Sequence, residues 1–331
     1  MSTRTPTRTA PETPLHDCRR AYAATLTDIA RADERLVIVT NDSIGSSNLG
    51  GFHEELPSRL INVGIAEQNQ VGVAAGLENG GKIPVVSCAG SFLSARATEQ
   101  IKIDAAYSHR HMLLCAQSPG LAYGPLGSTH HSAEDVSIMR SIPEMTVIVP
   151  ADPAETAGAV RWAYSELDGP AYIRISRMKV PALHGEDYVF TPRATVLREG
   201  GEGGEGADLT IIANGVTVHR AVDAADRLAA EGVRARLLSV PVVKPLDEGA
   251  VLAAARETGR IITVEEGTVK GGLGGAVAEL VTERCPVPVR RIGVPDEFAP
   301  TGSEAWLMDH WGISADGIIA AARELVAGPA A

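Results

Sequence analysis

The run Asn62-Val-Gly-Ile-Ala-Glu-Gln-Asn-Gln-Val-Gly-Val-Ala-Ala-Gly76 sets one carboxylate, Glu67, at the start of a segment that is otherwise small and largely apolar. Leu60-Ile-Asn-Val63 reads as a strand, Gly64 as a turn, and Val71, Val73, Ala74, Ala75 and Leu77 as the buried surface of a helix. A carboxylate entering so dry a setting either finds a partner or stays protonated, because an unpaired buried charge is very costly. The plainer reading is an acidic residue in a first helical turn, stabilised by the helix dipole. The local pattern leaves both open, and the rest of the chain decides between them.

Outward from this run, strand-like and helix-like segments alternate from about residue 17 to 178. Helix Asp17–Arg31 precedes strand Leu36–Thr40 and the loop Asn41–Gly51. Strand Ile83–Ser87 leads to a helix over Leu93–Tyr107, and strand Met112–Ala116 to a long glycine-rich loop, Gln117–His131. Helix 133–140, strand 145–149, helix 153–166 and strand 171–175 follow. Such alternation predicts a mostly parallel sheet covered by helices on both faces. The segment Arg198-Glu-Gly-Gly-Glu-Gly-Gly-Glu-Gly206 reads as a flexible linker. Beyond it, strands Leu209–Ala213, Ala235–Ser239, Arg260–Val264 and Val287–Ile292 alternate with helices near 217–230, 248–257, 272–284 and 314–326. The expected fold class is α/β with two doubly wound domains, at 15–190 and 208–328. A Gly/Glu-rich linker is expected at 191–207 and a disordered tail at 1–14.

A chain of 331 residues, 44% hydrophobic and 21% charged, has room for two cores. Thirty Lys plus Arg against 41 Asp plus Glu leave a formal charge of −11, which argues against a nucleic-acid partner. No run approaches the roughly 20 apolar residues of a membrane span. Cys18, Cys88, Cys115 and Cys285 form no CxxC pair, and a reducing, cytoplasmic setting is expected.

Ligands of such sheets bind at the carboxyl ends of the strands. Three segments reach that rim: the turn before Glu67, Ala89-Gly-Ser-Phe-Leu-Ser-Ala-Arg96, and Leu126-Gly-Ser-Thr-His-His131. They bring together a carboxylate, an aromatic face and one or two imidazoles.

With these motifs, the helix SFLSARATEQI, the run GSTHHSAEDVSIMRSIPEMTVIVPAD and the strand YIRISR ending at Arg177, the chain resembles the C-terminal two-thirds of a thiamine-diphosphate transketolase. The likeness extends from about residue 17 over nearly the whole chain, through a pyrimidine-binding domain and a transketolase C-terminal domain. It implies thiamine diphosphate as cofactor, with Glu67 hydrogen-bonded to the aminopyrimidine as its activating acid. A raised carboxyl pKa in an apolar niche would suit that role. The resemblance further implies Phe92 stacked on the aminopyrimidine, and His130 on the donor's hydroxyls as a catalytic group. Asp42 matches a pyrimidine-domain aspartate near the cofactor, with a turn-capping role as its alternative. Arg19, Ser46 and Arg177 match positions that hold a substrate phosphate. At the acceptor end, Leu126 replaces an aspartate and Ser118 a histidine, which points to an unusual or less hydroxylated sugar or sugar phosphate. The role of His131, where the family usually has Gln, stays open.

No Gly-Asp-Gly appears in the chain. That is the start of the family's diphosphate and magnesium motif, and the glycine-rich Lys270-Gly-Gly-Leu-Gly-Gly275 lacks the acidic ligand to replace it. The resemblance therefore implies a split transferase whose Mg2+ and diphosphate are held by a separate N-terminal subunit, in an α2β2 heterotetramer, with a homodimer possible alone. Two competing readings are the β subunit of a 2-oxo-acid dehydrogenase, within a superfamily that also includes deoxyxylulose-phosphate synthase, and a non-catalytic binding or regulatory subunit.

Overall fold

The computed structural model describes residues 14–328 apart from 186 and 202–205. The expected tail thus lies outside the described residues except for Pro14, as do residues 202–205 of the expected linker.

The chain opens with β1 (Leu15–Asp17), α1 (Cys18–Ala32), β2 (Leu36–Thr40), α2 (Gly50–Glu55) and β3 (Leu60–Asn62). There follow α3 (Glu67–Asn79), β4 (Ile83–Ala89), α4 (Gly90–Arg96) and α5 (Thr98–Gln100), which runs into a π-helical turn over Ile101–Tyr107. Next come β5 (Leu113–Gln117), α6 (Asp135–Ser141), β6 (Thr146–Ile148), α7 (Pro153–Ser165), β7 (Ala171–Ile175) and β8 (Lys179–Pro181). The second half holds β9 (Thr195–Arg198), β10 (Leu209–Ala213), α8 (Val218–Ala230), β11 (Ala235–Ser239) and β12 (Val242–Lys244). It ends with α9 (Glu248–Thr258), β13 (Ile261–Thr268), α10 (Leu273–Arg284), β14 (Val289–Val294), α11 (Glu304–His310) and α12 (Ala315–Ala327).

Two doubly wound sheets result, in the orders β12-β6-β7-β5-β4-β2-β3 and β14-β13-β10-β11-β9. Central strands such as Leu36-Val-Ile-Val-Thr40 are buried at every position, because helices cover both faces. Some helix starts carry side-chain caps: Asp17 accepts from Arg19 N, Asp152 from Glu155 N, Asp247 from Ala250 N and Ser314 from Gly317 N. The run from Lys270 serves packing: a Cβ on Gly274 would lie 2.7 Å from Thr263 Oγ1, so only glycine lets α10 approach β13 this closely.

Three features depart from the sequence expectations. The helix expected over Leu93–Tyr107 is broken, because the Thr98 hydroxyl bonds the Ser94 carbonyl and the ladder widens into the π-helical turn. Within the expected linker, β9 alternates in burial and pairs antiparallel with β11, so Thr195–Arg198 belongs to the second sheet. Conversely β12, from the second half, pairs antiparallel with β6 and completes the first sheet. The division at 191–207 is therefore bridged by an exchanged strand.

Candidate active site

In the first sheet β3 and β4 lie on opposite sides of β2, so the winding reverses between β2 and β4. A crevice opens at such a point. Asn41 leaves the end of β2, Phe92 stands in the first turn after β4, and Glu67 begins the helix after β3. Glu67 is 3% exposed and borders a cavity of about 460 Å³ with Ile65, Gln68, Asn69 and Arg96. Asn41 Nδ2 donates to its Oε1 at 2.8 Å, and Arg96 Nη1 to its Oε2 at 3.0 Å. Burial pushes the carboxyl pKa up. The bonds from its own backbone N–H, Asn41 and Arg96, together with the Arg96 charge, outweigh burial and hold it below the ordinary value. The expectation of a raised pKa is corrected accordingly: the niche is dry, but it is furnished with donors.

The Arg96 guanidinium also lies 4.3 Å from the centre of the Phe92 ring. It is a flat group with N–H donors, seated on an aromatic face and bonded to Glu67. Those are the two contacts that an aminopyrimidine needs, so this end of the site fits the cofactor's ring.

From Phe92 the rim continues through aromatic edges. His130 meets Phe92 edge-on at 5.3 Å and Tyr123 at 5.8 Å, while Arg177 lies over the Tyr123 ring at 5.0 Å. Thr129 Oγ1 and His130 Nδ1 are 3.0 Å apart, which fixes the imidazole's orientation. Winding reverses again between β5 and β7, where Ser118 and Arg177 emerge. Arg177, Arg19 and Lys179 border a second cavity of about 460 Å³, walled on its far side by His219 and Arg220. His219 is pushed down to about 4 by burial and by the neighbouring Arg220 charge, so it faces this cavity uncharged near neutral pH.

The remaining residues singled out in the sequence fall as follows. Arg19 donates to both Asp17 oxygens and, through Nη1, to the Ser46 carbonyl at 2.8 Å. Arg19 and Ser46 are thus adjacent, with the guanidinium largely engaged. Asp42 is exposed at φ +68 and exchanges hydrogen bonds with Asn62, which ties the ends of β2 and β3. Its neighbour Asn41 is the residue that reaches Glu67. Ser118 is buried at φ +51, with its hydroxyl unpartnered among the described residues. Leu126 is 54% exposed on the loop crest. His131 is buried and burial lowers its pKa. The sequence reading missed Asn41, Arg96 and Tyr123. The i, i+4 spacing of Phe92 and Arg96 on one helix was the available signal for the second of them.

Residues 16–182 match the family described as transketolase, pyrimidine binding domain, and residues 202–318 match transketolase, C-terminal domain. The chain is 42% identical over 312 residues to an apulose-4-phosphate transketolase subunit of Phocaeicola vulgatus, covering 93% of this chain and 97% of that one. It is 41% identical to 6-deoxy-6-sulfo-D-fructose transketolase subunit SqwH of Clostridium sp., covering 94% of each. A solved structure described as "Split gene transketolase, inactive beta4 tetramer" is 37% identical, with a TM-score of 0.84 over 94% of this chain and 98% of that one.

Proposed function

The chain belongs to the transketolase family, and we propose that it is the second subunit of a split transketolase. With a partner polypeptide it moves a two-carbon ketol unit from a ketose to an aldehyde. The observation that carries this reading is the single rim joining Glu67, Phe92, His130 and Arg177 through Arg96 and Tyr123.

Thiamine diphosphate, when bound, supplies the electron sink for carbon–carbon bond cleavage. Glu67 would hold the aminopyrimidine by a hydrogen bond in place of the one from Arg96, and Phe92 would offer its face to that ring. His130 reaches the donor's hydroxyls as hydrogen-bond partner and proton carrier. Arg177, with Arg19 and Ser46 beside it, receives the anionic end of the sugar. Leu126 would border the acceptor end, near which Ser118 is buried, and Asp42, bonded to Asn62, would brace the strand ends on the cofactor side.

The absence of Gly-Asp-Gly supports a partner subunit that carries Mg2+ and the diphosphate. So do relatives named as subunits and matched over nearly their full length. Ile65 beside Glu67 and Tyr107 on the π-helical turn are 77% and 84% exposed, and such apolar surface suits a subunit interface in an α2β2 assembly. The names of the two relatives, one phosphorylated and one sulfonated ketose, support a substrate with an anionic end. Among the described residues no helix is long and apolar enough to cross a membrane, and a cytoplasmic setting remains part of this proposal.

The test pairs this chain with the product of a neighbouring gene containing Gly-Asp-Gly and assays the pair against phosphorylated, sulfonated and uncharged ketoses. Ketol transfer by the pair, with no magnesium-dependent cofactor binding by this chain alone in calorimetry, is the expected result. Tight stoichiometric binding by the chain alone would contradict the split assembly.

A further inference from the structure

The C-terminal sheet has a reversal point of its own, between β10 and β13, where a doubly wound fold ordinarily takes a ligand. Here the first domain fills it. Gly215 N donates to the Val149 carbonyl at 3.1 Å, and a Cβ on Gly215 would stand 2.8 Å from Val149 Cγ1. β13 runs on past the last residue of β10, and its extension carries Glu266, 3% exposed. The Leu121 N–H donates to Glu266 Oε1 at 2.6 Å. Arg174 donates from Nη1 to the Glu266 carbonyl at 2.9 Å and from Nε to Asp135 at 3.0 Å. Its Nη2 is buried without a hydrogen-bond partner among the described residues. The fit leaves no slack: a Cβ on Gly120 would collide with Glu266 Oε1 and stand 2.8 Å from Arg174 Nη2.

These contacts seize one loop at its feet. Gly120 N donates to Ser132 Oγ at 3.0 Å and Ser132 N to the Gly120 carbonyl at 2.9 Å, closing residues 121–131 between them. Tyr123 and His130 lie inside that closure. The C-terminal domain holds the second foot as well, through Thr268 N to the Ala133 carbonyl at 2.8 Å. It holds the crest through Ser128 Oγ to the Ala299 carbonyl at 2.6 Å and Gly302 N to the Gly124 carbonyl at 3.2 Å.

We infer that the C-terminal domain takes part in catalysis by holding this loop, and that Glu266 is the positioning residue through which it sets His130. A buried carboxyl oxygen accepting a buried N–H beside a guanidinium is a strong anchor, and its loss leaves the Leu121 N–H unsatisfied next to the already unpartnered Arg174 Nη2. Reacting groups displaced by an ångström lose much of their rate advantage. The catalytic half of this inference rests on the transketolase reading, whereas the anchoring half does not.

The test uses the full chain, alone and then assembled with its partner subunit. Glu266→Gln keeps the shape and removes the charge, and Glu266→Ala removes the acceptor. Glu265→Gln is the control. Glu265 is equally buried but accepts from Leu273 N and Gly274 N, both at 2.8 Å, and makes no hydrogen bond to the loop. In hydrogen–deuterium exchange, amides of 121–131 should exchange about tenfold faster in Glu266→Gln, with other segments unchanged. Glu265→Gln should leave the loop at the wild-type rate. In the assembled enzyme, Glu266→Gln should lose about tenfold in kcat while cofactor affinity stays unchanged. Should Glu266→Ala fail to fold, the Gln variant carries both measurements. Unchanged loop exchange in Glu266→Gln, or equal acceleration by Glu265→Gln, overturns the anchor. Faster exchange with wild-type kcat overturns the catalytic role. If the wild-type pair turned over no ketose, the proposed function would fall while the exchange result stood.

Discussion

Arg96 covers Glu67: its Nη1 lies 3.0 Å from Glu67 Oε2 while its guanidinium rests on the Phe92 ring. The acid and the aromatic face are both engaged by one side chain, which is itself about half exposed. Without it, Glu67 would keep only Asn41 and its own backbone N–H against the burial that raises its pKa. Arg96→Ala should therefore move the Glu67 titration upward. A carbon-13 carboxyl titration of the chain reads this, and an unmoved midpoint would show that the ion pair does not govern Glu67.

Glu67→Gln keeps the side-chain shape but can neither share nor release the proton. In the assembled enzyme it should cost about two to four orders of magnitude in kcat. Steady-state kinetics decide the matter, and wild-type turnover would remove Glu67 from the chemistry.

Arg177 lies over Tyr123 and has no carboxylate within ion-pair distance among the described residues, so its charge is available to a ligand. Arg177→Ala should raise KM for a phosphorylated ketose by about tenfold or more, the worth of one charge-assisted contact. KM for an uncharged ketose should stay within about twofold. Equal losses for both would mean that Arg177 shapes the pocket without reading the anion.

Burial pushes Glu155, Glu265 and Glu266 each up to about 7. A carboxyl with a folded pKa above its unfolded one binds extra protons in the folded state, so its contribution to stability is lost as pH rises from about 4.5 to 7. Glu265→Gln removes one such titration. Between pH 5 and 8 it should lose less stability than the wild type, by at most about 3 kcal/mol. Urea unfolding at both pH values checks the sign, and parallel curves would refute the buried titration.

Gly120 sits at φ +64 with Glu266 and Arg174 occupying the space that a Cβ would take. Gly120→Ala should destabilise the chain by about 2 kcal/mol or more, through backbone strain and displacement of the Glu266 carboxylate. Denaturant midpoints measure this, and a loss under about half a kcal/mol would mean that the loop's foot has room to move.

The central strands were legible because burial on both faces writes itself as mostly apolar runs: Leu36–Thr40, Ala171–Ile175, Leu209–Ala213 and Ala235–Ser239 form with the bounds that the pattern predicts. Four short strands, all paired antiparallel, were not. Leu15–Asp17, Lys179–Pro181, Thr195–Arg198 and Val242–Lys244 exist because a distant segment offers an edge, and nothing local announces it. The site divides in the same way. Glu67, Phe92, His130 and Arg177 carry motif signals and share one rim. Asn41 is overshadowed in the sequence by its acidic neighbour Asp42, although the residue that ends a buried strand at a reversal point is the one turned towards the crevice. Glu266 is invisible from its own segment, since its partners lie in the other domain.

The strand Val242–Lys244 has a consequence for how this gene can be divided. It zips onto Thr146–Ile148, and Val149 N adds a bond to the Pro241 carbonyl at 2.7 Å. A cut in the glycine-rich stretch would part the polypeptide where it looks most dispensable, yet would leave the first fragment with a naked sheet margin of unpaired amides. Such margins recruit other chains. Division at that point would therefore bare the β6 edge and favour pairing of the first fragment with other chains, which makes the two halves one cooperative unit.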